Sequence, residues 1–213
     1  MQPITFTKAL TGANDAAIAA NQTLGAAGNM TLTASPVVLD TLRQVVLTFA
    51  ADETGHNFTL YGTDGETSGT ISETIAGTTA GTATSVRMYK TISRIAVDAA
   101  TTGNVKAGTN GVGATRWFTS NSQIAPSAWS FACVLSGTAN FTVQVTYDDF
   151  WSIPAGQSQG NVPTAWDVSS LANKSATAAA TVTDVISGWR LLINSGTGTV
   201  TMSAIQAGIA GNM

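Results

Sequence analysis

"WRLLINSGTGTVTMSAIQAG", residues 189–208, holds two apolar runs separated by a turn. Trp189, Leu191 and Ile193 alternate with Arg190 and Leu192. Val200, Met202 and Ala204 alternate with Thr199, Thr201 and Ser203. A period of two sends successive side chains to opposite faces of a strand. Asn194-Ser195-Gly196-Thr197-Gly198 between the runs is turn chemistry. The stretch therefore predicts a β-hairpin with one apolar face.

The same alternation recurs upstream. "QVVLTFA" (44–50) places Val45, Leu47 and Phe49 on one face, and "NFTLYGT" (57–63) does so with Phe58 and Leu60. "SVRMYKTISRIAVDA" (85–99) holds one or two strands, with Ile95 and Val97 sharing a face. "GNVKAGT" (103–109) is a short strand. "WSFACVL" (129–135) aligns Trp129, Phe131, Cys133 and Leu135, and "NFTVQVTYDDFW" (140–151) aligns Phe141, Val143, Val145 and Tyr147. Between them lie Gly-, Thr- and Asn-rich turns. "NDAAIAAN" (14–21) has the composition for a single helical turn. "SSLANKSATAAAT" (169–181) is Ala-rich but sustains no apolar stripe. Many short strands with close turn signals predict an all-β fold: antiparallel β-sandwiches, jelly-roll- or Ig-like, with little helix.

An internal repeat is visible. "VVLTFAADETGHNFTLYGTD" (45–64) is similar to "WSFACVLSGTANFTVQVTYDD" (129–149). "TISRIAVDAATTGNVKAGT" (91–109) is similar to "VISGWRLLINSGTGTVTMS" (185–203), in the same order. "RWFTSNSQIAPSA" (116–128) reads as a linker. The expected division is a sandwich unit over residues 1–117 and another over 118–213, either in tandem or as the two sheets of one pseudo-symmetric body.

Composition narrows the function. Only 10% of the 213 residues are charged, against about 25% in an average domain. A surface so poor in charge does little to keep copies apart. The net charge is −3 and the nine Lys and Arg are scattered. A nucleic-acid footprint needs clustered cations, so no direct nucleic-acid partner is expected. No window is long and apolar enough for a membrane helix. The first 21 residues lack a secretory pattern, because Lys8 is their only cation and Asn14-Asp15 interrupts the apolar stretch. The single cysteine, Cys133, excludes an intrachain disulfide and reads as a small core residue.

Candidate chemistry is sparse. The lone histidine, His56, sits in the turn "ADETGHNF" beside Asp52 and Glu53, with no nucleophile elbow near it. Asp148-Asp149 are adjacent, so on a straight strand they point apart rather than forming an acid–base pair. "GTNGVG" and "GTDGETSG" are Gly-rich but lack a phosphate-loop Lys-Ser/Thr. No catalytic residue, metal ligand or cofactor site is expected. Trp129 and Trp189 lie within alternating strands and read as core. Trp117, Trp151 and Trp166 sit beside turns, where they could form an interaction surface or stack on sugar rings.

Residues 185–209, "VISGWRLLINSGTGTVTMSAIQAGI", resemble the carboxyl end of structural proteins from tailed bacteriophages. There an apolar strand with Arg, an "SGTGTV" turn and a "QAG" segment recur. "YGTDGETSGTISETIAG" (61–77), followed by "YKTISRIAVDAATTGNVKAGTNG" (89–111), is similar to the same group. The resemblance implies a non-enzymatic virion component, assembled in the host cytoplasm. Its partners would be other copies of itself and other capsid or tail proteins. Head decoration is the reading preferred here; a head–tail connector or tail-associated protein is the alternative within the group, and a carbohydrate-binding module the alternative outside it.

Overall fold

The computed structural model describes residues 4–64, 69–120, 128–148 and 162–206. The strands among them are β1 (Ile4–Ala9), β2 (Asn14–Gln22), β3 (Gly28–Asn29), β4 (Val37–Phe49), β5 (Asn57–Thr63), β6 (Ile71–Ala76), β7 (Gly81–Val97) and β8 (Val105–Ala114). They continue with β9 (Phe118–Thr119), β10 (Trp129–Ser136), β11 (Ala139–Thr146), β12 (Trp166–Asp167), β13 (Ala178–Val182), β14 (Gly188–Gly196) and β15 (Thr199–Gln206). One 3-10 turn, Ser169–Leu171, is the only helical element among the described residues. The chain is all-β, and the strand pairings are antiparallel.

Two compact units divide the chain. One takes Gly12–Gly113, with Val162. The other takes the first eleven residues, Ala114 onwards up to residue 148, and the chain after residue 162. The change-over after Gly113 lies close to the expected boundary at 117/118. The amino-terminal strand, however, belongs with the carboxyl-terminal unit: β1 pairs with β15 through Ile4↔Ala204 to Ala9↔Thr199. The Gly12–Gly113 unit is thus inserted between the first strand of the other unit and the remainder of it.

In the split unit one sheet runs β1-β15-β10-β13. Opposite it, β11 pairs with β12 and β14, and β14 also pairs with β9. The core between them is built by the alternating residues: Trp129, Phe131 and Cys133; Phe141, Val143 and Val145; Trp189, Leu191 and Ile193; Val200, Met202 and Ala204. Each large aliphatic or aromatic side chain removed from water contributes roughly 1.5–3 kcal/mol. Tyr147, expected in the row of Phe141, lies beyond the end of β11 and is exposed.

The stretch 189–206 is not a hairpin. β14 pairs with β11, whereas β15 pairs with β10 and β1. The Thr197-Gly198 turn therefore carries the chain from one sheet to the other, and the two apolar faces meet across the core. β10 and β11 are joined in the same way through Gly137-Thr138. The two crossing turns pack together: Gly198 N–H donates to Thr138 O at 2.8 Å. A Cβ on Gly196 would lie 2.4 Å from Thr138 O, and the residue's φ of +88° already favours glycine.

The inserted unit repeats this plan. β4 is followed by a crossing segment and β5, and β7 by another and β8. β4 neighbours β8, and β5 pairs with β7. β7 is a single 17-residue strand. Its first part, Gly81–Ile92, lies on β4 as β13 lies on β10. Its last part, Thr91–Val97, lies on β5 as β14 lies on β11. β6 on β5 matches β12 on β11, and β2 on β8 matches β1 on β15. The repeated sequence segments thus occupy matching strands. So do two polar pairs: Asn57 bonds Asp98 as Asn140 bonds Asn194. The core of this unit includes Ile18, Val45, Leu47, Phe58, Leu60, Tyr89, Ile92 and Ile95. The expected helical turn at 14–21 is instead strand β2, whose Ile18 and Ala19 are fully buried. Edge pairing with β8 overrides the helical preference of its alanines.

Candidate functional site

Three tryptophans were candidates for an interaction surface. Trp117 does not face solvent: it is buried, with the Arg190 guanidinium 4.5 Å above its ring. Arg190 Nε donates to Gln144 Oε1 at 2.8 Å, and Gln144 Nε2 donates to Asp167 Oδ1 at 2.8 Å. This relay of polar side chains roofs the ring, which a reading of neighbouring residues alone does not show. Trp151 lies outside the described residues. Trp166 is 57% exposed. It stands on edge strand β12 and meets the exposed Tyr147 edge-on, with ring centroids 6.3 Å apart. Tyr147 Oη donates to Asp184 Oδ2 at 3.2 Å. Partial burial, then the Asp184 carboxylate, raises the phenol above its usual range.

A second candidate surface is the outer side of the β1-β15-β10-β13 sheet. Alternation turns Thr5 and Thr7, Thr199, Thr201, Ser203 and Ile205, Ser130, Ala132, Val134 and Ser136, and Ala179 and Thr181 away from the core. None of these carries a charge. The hydroxyls pair across the strands: Thr5 with Ser203 at 3.2 Å, Thr7 with Thr201 at 3.0 Å and Ser130 with Thr181 at 3.3 Å. Val134 and Ile205 are exposed among them. Each pair uses one O–H donor and leaves the other hydroxyl's proton for an acceptor on whatever covers the face, and no ion there has to lose its water.

Chain comparisons add nothing to these two surfaces. No family model, curated protein or solved structure matches the chain.

The titratable groups are tied into the fold. His56 Nδ1 lies 2.8 Å from Glu53 Oε2. Glu53 is fully buried and accepts from the amides of Gly103 (2.8 Å) and Thr102 (3.1 Å). Burial pushes its carboxyl upward, but the two amides and His56 outweigh it and hold the group below the ordinary range. Glu53 thereby ties together the two crossing segments of the inserted unit, beside the backbone bond from Ala50 N–H to Asn104 O at 2.9 Å. "ADETGH" reads as an ordinary exposed turn, and no local signal marks Glu53 as buried. Arg43 was likewise missed. It is 1% exposed, forked onto Asp40 at 2.7 and 2.8 Å, with Nη1 donating to Asn110 O at 2.9 Å. It is in phase with Val45, Leu47 and Phe49, so the alternation of its strand turns it inward.

Cys133 is a core residue whose thiol burial pushes up to about 12. Asp148 Oδ2 accepts from the Thr164 amide at 2.6 Å; Asp149 lies outside the described residues. No cluster of three or more potential metal ligands occurs among the described residues. No helix among them is long and apolar enough to cross a membrane.

Proposed function

We propose that the chain is a non-enzymatic structural protein of a tailed-phage particle, decorating or stabilising the head through contacts between sandwich faces of neighbouring subunits. The observation that carries this reading is the charge-free, hydroxyl-paired outer face of the β1-β15-β10-β13 sheet. Burying such a face strands no ion. The structural ties of His56, Glu53 and Cys133 support a role without chemistry. The resemblance of residues 61–77, 89–111 and 185–209 to phage structural proteins names the particle. Its partners are then copies of itself and other virion proteins, with no cofactor.

Sedimentation across micromolar to millimolar concentrations tests the assembly. The wild-type chain should associate. Ala132→Glu with Val134→Lys should leave the circular dichroism unchanged and abolish association, because each charge loses water on burial. A wild-type chain that stays monomeric and is absent from purified particles would overturn the reading.

The Trp166–Tyr147 pair favours a second reading, carbohydrate binding. Two exposed rings at an angle, beside the fixed carboxylates of Asp184 and Asp167, suit the apolar face and hydroxyls of a pyranose. A glycan array decides this. Binding that Trp166→Ala reduces by about tenfold or more supports it, a loss in keeping with the ~1.4 kcal/mol expected of one stacking platform. An array without signal removes it.

A further inference from the structure

Strand β1 holds an unusual position. It completes the edge of the β1-β15-β10-β13 sheet, yet the entire inserted unit separates it in sequence from every other strand of that sheet. The corresponding edge strand of the inserted unit, β2, is joined in the chain to its own sandwich and buries Ile18 and Ala19 completely. In β1, Ile4, Thr5, Thr7 and Ala9 are all exposed, and six consecutive backbone pairs and two hydroxyl pairs join the strand to β15. Leu10, just beyond it, enters the core.

We propose that β1 is an exchangeable strand, and that in the assembled state the β15 edge of one copy receives β1 from a second copy of this chain. The committed occupant is that segment because β15 already presents the matching register: Ile4 to Ala204 through Ala9 to Thr199. Backbone donors and acceptors on β15 cannot tell β1 of their own chain from that of another copy, so exchange conserves each of these bonds. Reciprocal exchange closes a dimer, and one-way exchange continues as a ring or filament. The proposal rests on the assembly reading only in requiring copies as neighbours; it names the contact that joins them.

Cysteine pairs distinguish the two arrangements. Thr7 and Thr201 face each other with hydroxyls 3.0 Å apart, a separation suited to a disulfide once both are cysteine. With Cys133→Ala in every chain, one tagged copy carrying Thr7→Cys is co-expressed with a differently tagged copy carrying Thr201→Cys. Exchange yields a covalent product containing both tags, about tenfold above a mismatched pair, Thr7→Cys with Thr181→Cys, since only facing positions meet disulfide geometry. A chain carrying both Thr7→Cys and Thr201→Cys reports that the geometry forms at all. If that chain oxidises within itself while the mixed copies stay unlinked, the exchange is overturned. Sedimentation of the same sample then separates the two ideas: oligomers without cross-links leave the assembly reading standing, and monomers remove both. Thr5→Cys with Ser203→Cys, two residues along the same register, repeats the measurement should the first pair disturb folding.

Discussion

Glu53 shows how a single residue can hold two distant segments. Its carboxylate meets the amides of Thr102 and Gly103 and the His56 ring, so residues about fifty positions apart share one anion. Hydrogen bonds to a charged group typically contribute 1.5–3 kcal/mol each when buried. Glu53→Gln should therefore destabilise the chain by about 2 kcal/mol at neutral pH, read by urea unfolding. The folded carboxyl sits below its ordinary value. Its contribution is complete above the unfolded range near pH ~4.3 and is lost as pH falls through the folded value. The gap between wild type and Glu53→Gln should accordingly narrow between neutral pH and about pH 3. A gap that stays constant across that range would show that the charge contributes nothing. Nothing in "ADETGH" distinguishes Glu53 from Asp52, because the amides that bury and bind it come from another crossing segment. Arg43 was hidden for a related reason. Its phase with Val45, Leu47 and Phe49 points it inward, but its charge reads as exposed until Asp40 and Asn110 O supply the partners that make its burial tolerable.

At the scale of elements, the faces of the strands were legible and their partners were not. Val45, Leu47 and Phe49, Phe58 and Leu60, and Trp189, Leu191 and Ile193 all turn inward as the alternation predicts. The same alternation suits a hairpin and a crossing turn equally, since both place one face of each strand on the core. Glycine makes the difference at 196–198. Gly196 and Gly198 let the turn of β14–β15 close onto Thr138 in the turn of β10–β11, a contact no local motif encodes. Gly196→Ala should cost roughly 2–4 kcal/mol, since it combines a left-handed backbone with a Cβ placed against Thr138 O. Gly111→Ala, with open space around its Cβ and no such backbone, should shift stability by less than about 0.5 kcal/mol. Chemical denaturation of the two variants side by side checks this. Equal effects would mean that the packed turns are not a stabilising element.

Seen as a whole molecule, the chain contains the same strand plan twice, once continuous and once split by the other. The sequence similarity of 45–64 with 129–149 and of 91–109 with 185–203 follows this plan, so the repeat was legible. The split was not. "ITFTKA" carries no mark of its partner nearly two hundred residues away. Removing residues 1–11 should leave the amides of β5 and β7 protected from hydrogen exchange. Amides of Thr199–Ala204 that face β1 should exchange at least about tenfold faster, as expected for a newly opened strand edge. Unchanged protection there would mean that β1 is not bound along β15.

The order of apolar and polar residues, with Gly, Asn and Thr between the runs, determined that this chain forms strands, which side of most strands is buried, and that one pattern occurs twice. These are properties of neighbours in the chain, set by the period of a strand and the backbone freedom of turn residues. Tertiary structure alone decided that 189–206 crosses between sheets, that β1 completes a distant sandwich, and that Trp117 and Glu53 are enclosed. The physical reason is that the edge of a strand offers the same amides and carbonyls whatever its sequence, so its choice of partner is made by packing across the core.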